Sequence, residues 1–231
     1  MVGKGHSGAR VLKERFAKQR VHMRCNGKRH GLGRLLLLNH SLSAAFLNVM
    51  GLISILLSAT HLLMPRLELG GDSALITVLK ARQTERRGLT VLASWGLANA
   101  GYGLVAASQT EGRLRAFNQM NAGWGAVNLA LALPGLVKAY RADPAAIGLQ
   151  KALKESRRME KILLFNAGLD VAYMLGGAYL IERAKRQTGD KALRNRGWGQ
   201  SIALQGGALF VFDLGFFIAM NRRTRAMEKA E

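Results

Sequence analysis

The chain has one cysteine, Cys25, no histidine beyond His61, and few acids: 14 Asp plus Glu against 34 Lys plus Arg. A single cysteine excludes an internal disulfide framework and any multi-cysteine metal site. Past residue 61 there is neither imidazole nor thiolate to bind haem, zinc or copper. His40 and His61 fall near opposite ends of one apolar stretch, too far apart to share an ion. No phosphate-loop lysine follows Gly101-Tyr-Gly103, and hydrolase nucleophile patterns are missing. No cofactor or metal is expected, and catalysis, the less favoured class, would have to run through acids alone. The formal charge of +20 invites nucleic acid as a partner. Against that, the basic residues lie in connectors beside apolar runs and accompany no RNP or zinc-finger module, a distribution suited to anionic lipid headgroups.

What the chain does have is long apolar runs. Segments 89–108, 116–137, 162–181 and 197–220 each hold about the 20 residues that a helix needs to cross roughly 30 Å of hydrocarbon. The first two contain no charged residue, and the other two contain one Asp each. The expected class is therefore an all-α membrane protein with four transmembrane helices. Residues 72–107 also align without a gap on 143–178, with 11 identical pairs in 36, among them Asp72/Asp143, Arg86/Arg157, Arg87/Arg158 and Tyr102/Tyr173. This spacing predicts an internal repeat, 72–140 and 143–221, of two tandem helical hairpins. A further match, Asn121-Ala-Gly-Trp-Gly against Asn195-Arg-Gly-Trp-Gly, is less secure, because Trp124 lies inside its run and Trp198 at the edge of its own.

Each repeat is expected to open with a cap, Asp72-Ser73 or Asp143-Pro144, and an amphipathic lead-in helix that lies in the membrane interface before the chain turns or continues into the membrane. Gly96, Gly101, Gly103, Gly123, Gly125, Gly176, Gly177, Gly206 and Gly207 are candidates for close helix approach. Ahead of the repeats, 1–34 reads as a disordered basic arm, with ten Lys and Arg, and 35–64 as an extra apolar helix or uncleaved signal anchor. Residues 222–231 read as a basic tail. Positive-inside counting over the four-helix core puts the 65–88 and 138–161 side in the cytoplasm, but including the arm evens the tally, so charge fixes no orientation. A multi-pass protein of a bacterial plasma membrane is the expected setting, with oligomeric state open.

Counting a rise of about 1.5 Å per residue from the capped side puts Asn99 about 15 Å deep, Asn128 about 13 Å, Asp170 about 12 Å and Asp213 about 10 Å. The four form one expected polar layer near the midplane. A carboxylate at a helix centre costs roughly 2.5–3.5 kcal/mol on insertion scales, so both acids should face the bundle interior. Asn166, Asp170 and Tyr173 share one helical face, as do Trp95, Asn99 and Tyr102. Two readings stay open. The layer is a pocket or pathway, with Asp170 and Asp213 as proton or cation sites, the Asn side chains as orienting dipoles and the tyrosines as walls; or it is interhelical glue. The first makes the protein a coupled small-molecule carrier. The second makes it a scaffold or accessory protein that engages lipid, a small ligand or a partner membrane helix.

Across Asn166-Ala-Gly-Leu-Asp170-Val-Ala-Tyr173, Gly197-Trp-Gly and Gln205-Gly-Gly-Ala-Leu-Phe-Val-Phe-Asp213, the chain resembles an uncharacterised bacterial family of small polytopic membrane proteins. The likeness spans about 84 to 221. It implies a four-helix integral membrane fold and intramembrane polar positions that include Trp95, Asn99, Asn128 and Gln205, and it carries no activity.

Overall fold

A computed structural model describes residues 73–143 and 146–231. The arm and apolar segment expected over 1–64 lie outside the described residues, as do Asp72 and Pro144. Four helices follow one another: α1 (Ser73–Gln109), α2 (Gly112–Arg141), α3 (Leu149–Ala184) and α4 (Gly189–Glu228). All four are long and apolar enough to cross a membrane.

The helices outrun the bilayer. At 37, 36 and 40 residues, α1, α3 and α4 reach about 55–60 Å, roughly twice the hydrocarbon thickness. The expected lead-in helices are accordingly not separate elements, because each continues without a break into its apolar run. Gly88, the one residue in α1 that reads as a helix breaker at that junction, instead seats the ring of Phe216, whose nearest carbon lies 2.2 Å from where a Cβ would stand. Val78 and Ala81 of α1, Ala152 and Leu153 of α3 and Met227 of α4 pack into one buried cluster, so the amphipathic faces cover each other. The expected tail at 222–231 is largely the last turns of α4, with Thr224 and Met227 buried. The second cap also differs from expectation, while Asp72 of the first lies outside the described residues. α3 begins at Leu149 behind Gly148, whose extended backbone offers no capping side chain, five residues past Asp143.

α1 pairs with α2 and α3 with α4 as antiparallel hairpins, and α4 joins the two pairs by packing on α2 and, less extensively, on α1. Both hairpin turns close on a glycine in the left-handed region, Gly112 (φ +56°) and Gly189 (φ +63°), a conformation that a Cβ would strain. Side chains then tie each turn: Asn118 donates to Thr110 (3.3 Å) and Asn195 to Gln187 (2.7 Å). At the other end, Arg86 of α1 reaches the last carbonyls of α2, donating to the Ala139 (2.8 Å) and Ala142 (3.3 Å) oxygens with its guanidinium over Tyr140. These acceptors have no amide partner within the helix, and a cation there also opposes the negative end of the helix dipole.

Close crossings fix the bundle. A Cβ on Gly125 would lie 2.3 Å from the Ala100 nitrogen and 2.5 Å from the Gly96 oxygen, and one on Gly197 would lie 2.3 Å from the Arg113 oxygen. Gly177 and Gly199 meet in the same way between α3 and α4. Of the glycines expected at contacts, Gly101, Gly123 and Gly176 face open space instead. Gly197 and Gly199, absent from that expectation, do make close contacts.

Polarity runs opposite to that of a water-soluble bundle. Val211, Leu175, Leu104 and Phe165 are 71%, 68%, 67% and 67% exposed, while Gln205 and Ser201 are fully buried. Apolar residues facing outward around a polar interior suit hydrocarbon as the surrounding medium.

Candidate functional site

The buried polar residues fall into two tiers rather than the single expected layer. The upper tier centres on Gln205 of α4. Its Oε1 accepts from the Trp95 indole Nε1 (3.0 Å), and its Nε2 donates to Oδ1 of Asn99 (2.7 Å) and of Asn121 (3.0 Å). Ser201, one turn earlier, donates to the same Asn121 oxygen (2.6 Å), and the Asn99 amide returns to the Trp95 carbonyl (2.9 Å). Three helices thus meet through one glutamine. A primary amide has two donor hydrogens and one carbonyl oxygen, and Gln205 has engaged all three.

α2 and α4 run parallel, which is why this tier can form. Gly197 lies against Arg113, Arg113 donates to Gln200 (2.8 Å), and Gln205 meets Asn121 further along both helices. The two Asn-x-Gly-Trp-Gly runs consequently do different work. Asn121 is an acceptor in the bundle interior, Asn195 ties a turn, and Trp198 lies beside Arg194, whose guanidinium carbon is 5.4 Å from the ring centre.

The lower tier holds the acids. Asp213 stands about two turns, or about 12 Å, beyond Gln205 on α4, and Asn128 about two turns beyond Asn121 on α2. Asp170 of α3 and Asp213 of α4 are both buried and stand beside each other. The Oδ2 atom of Asp170 is buried with no hydrogen-bond partner among the described residues. Nδ2 of Asn128 is likewise buried and has no acceptor.

The expected site residues divide accordingly. Trp95, Asn99 and Gln205 come together in the upper tier, and Asp170 and Asp213 in the lower; Asn128 is buried at its own level on α2. Tyr173 packs edge-to-face on Trp124, ring centres 4.7 Å apart, and so bridges α2 and α3, whose backbones do not approach. Tyr102 and Asn166 are half-buried. Sequence reasoning passed over Asn121, Ser201 and Trp124. Asn121 and Trp124 were visible in the Asn-x-Gly-Trp-Gly run, but a serine inside an apolar helix gives little signal of its own.

Beyond the membrane-spanning runs, Glu155 of α3 accepts from Arg82 of α1 and from Lys138 of α2 (3.3 Å), and Arg82 also reaches Glu85 (2.8 Å). A cleft of about 380 Å³ opens between α3 and α4 at this same end, with Arg157, Lys161 and Arg225 among its lining residues. No group of three or more His, Cys, Asp or Glu able to hold a metal ion occurs among the described residues.

A family of unknown function, DUF6992, matches residues 91–214, and with over half of its length matched the chain belongs to that family. Both polar tiers lie inside the matched segment. No curated protein and no solved structure matches the chain.

Proposed function

We propose that this member of the DUF6992 family is a multi-pass membrane scaffold or accessory protein. Its polar interior fixes the bundle, and its outer surface engages lipid, a small ligand or a partner membrane helix. The observation that carries the reading is the closed state of Gln205: it is fully buried, and each of its hydrogen-bonding atoms is taken by another helix, so the centre of the upper tier has nothing to offer a ligand. Interhelical hydrogen bonds of this kind contribute roughly 0.6–2 kcal/mol each. The connectors and helix ends, rich in Arg and Lys, favour anionic headgroups as the adjoining surface, and the proposal places the chain in a bacterial plasma membrane.

A second reading, a proton- or cation-coupled carrier, has one specific observation in its favour. Two acids, Asp170 and Asp213, are buried beside each other within the apolar runs, and the Asp170 Oδ2 and Asn128 Nδ2 atoms are buried without a partner among the described residues.

Two variants separate the readings. Gln205→Ala strands the Trp95 indole and the Asn99 and Asn121 oxygens, and is expected to lower stability in detergent by about 2–3 kcal/mol, measured by thermal unfolding. The double variant Asp170→Asn, Asp213→Asn keeps donors and acceptors in place and should unfold at nearly the parent temperature. Proton-coupled flux in proteoliposomes that the double variant abolishes would replace the scaffold by the carrier. A Gln205→Ala protein as stable as the parent would remove the observation on which the scaffold rests.

A further inference from the structure

The cleft between α3 and α4 takes no part in either polar tier, and its chemistry changes along its depth. Leu164 and Phe217, at its inner end, belong to the apolar runs 162–181 and 197–220, whereas Arg157, Lys161 and Arg225 lie just outside those runs. The cleft therefore crosses the level at which hydrocarbon gives way to headgroups. Its volume, about 380 Å³, falls within the roughly 300–1,000 Å³ typical of small-ligand sites.

Two carboxylates also line it, and both are already engaged. Glu160 accepts from Asn221 (3.2 Å) and Thr224, on the α4 wall. Glu228 accepts from Arg157 (2.9 Å). Lys161 and Arg225 remain, exposed and in no ion pair among the described residues, one on each wall. A pair of cations, one on each wall of a cleft that also has apolar lining, suits an anion that carries a hydrophobic chain. A metal ion would have to displace the partners of both carboxylates.

We propose that this cleft binds an anionic phospholipid, with the phosphate between Lys161 and Arg225 and the first part of an acyl chain on Leu164 and Phe217. The Thr224 and Asn221 side chains hold the Glu160 carboxylate against α4. The ligand chemistry is a phosphate ester, and the apolar lining selects the lipid over free phosphate. The site works in the same way whether the interior is a scaffold or a pathway, because no residue of either tier lines it.

The test uses the full chain in a mild detergent, with lipid retention followed by native mass spectrometry. Phosphatidylglycerol should be retained over phosphatidylcholine. Lys161→Gln and Arg225→Gln should each weaken retention roughly fivefold, the factor for one basic residue at an anionic surface, and more when combined. Arg196→Gln, at the opposite end of the bundle, should change nothing. Inorganic phosphate, added against sodium chloride at matched ionic strength, should fail to displace the lipid, and Leu164→Gln should weaken lipid retention. Exposed substitutions of this kind leave the melting temperature in place, and that measurement serves as the control for folding. Unchanged phosphatidylglycerol retention in the double variant would overturn the site. Displacement by inorganic phosphate, with Leu164→Gln silent, would overturn the lipid and assign the cleft to free phosphate.

Discussion

Glu155 shows how single residues hold the charged end of this bundle together. Burial works against its charge, yet the guanidinium of Arg82 and the ammonium of Lys138 outweigh that and hold its carboxyl below the usual carboxylate range. Burial likewise opposes the charge on Arg82, and the Glu155 and Glu85 carboxylates raise its pKa above the usual value nonetheless. Because the folded carboxyl titrates below the unfolded one, its stabilisation is complete above the ordinary Glu range and is lost as pH falls through the folded value. Melting temperature in detergent should thus decline on acidification below about pH 4, and Glu155→Gln should flatten part of that decline while lowering stability at neutral pH. An unaltered acid profile in the variant would mean that other carboxylates carry it. At this scale the sequence was informative about acids and weak on neutral polar groups. Asp170 and Asp213 stand out in apolar runs because a charge in hydrocarbon is costly, and both are buried inward. Ser201 and Asn121 carry no such penalty signal, and their importance depends on which neighbours the helix crossing supplies.

Helices and their crossings were legible to different degrees. Run length and the absence of charge located the four spans, since only a helix satisfies its own backbone in hydrocarbon. The ends were less legible, because periodicity in 73–88 and 149–161 reports an amphipathic face and not what covers it. The cover turned out to be the same face of another helix together with the end of α4. The glycines divide for a related reason: composition places them in the spans, and only packing shows which ones meet backbone. Gly125→Ala should destabilise the bundle by about 1–3 kcal/mol, since the added carbon meets main-chain atoms that cannot turn aside. Gly101→Ala, where a Cβ meets nothing, should be neutral or slightly stabilising through helix propensity. Equal melting temperatures for the two variants in detergent would contradict the crossing of α1 and α2 at Gly96, Ala100 and Gly125.

The described helices depart from the usual polarity: amides, hydroxyls and two acids are buried beside the apolar core, while Val211, Leu175, Leu104 and Phe165 face outward. The pairing that the sequence suggests between 72–107 and 143–178 sets Asn99 opposite Asp170, and these two have different partners: Asn99 serves the amide tier and Asp170 the acid tier. Charged groups collect where the long helices outrun the hydrocarbon, in the Arg82–Glu155–Lys138 network and around the α3–α4 cleft. Each of these features has physical sense only if the outer face of the four helices meets acyl chains. Spin labels introduced singly at Leu175 and Val211, on a Cys25→Ser background and reconstituted in bilayers, measure that directly through accessibility to oxygen and to a water-soluble nickel chelate. High oxygen and low nickel accessibility at both positions is the expected result; nickel accessibility at the level of a surface loop at either one would contradict the account.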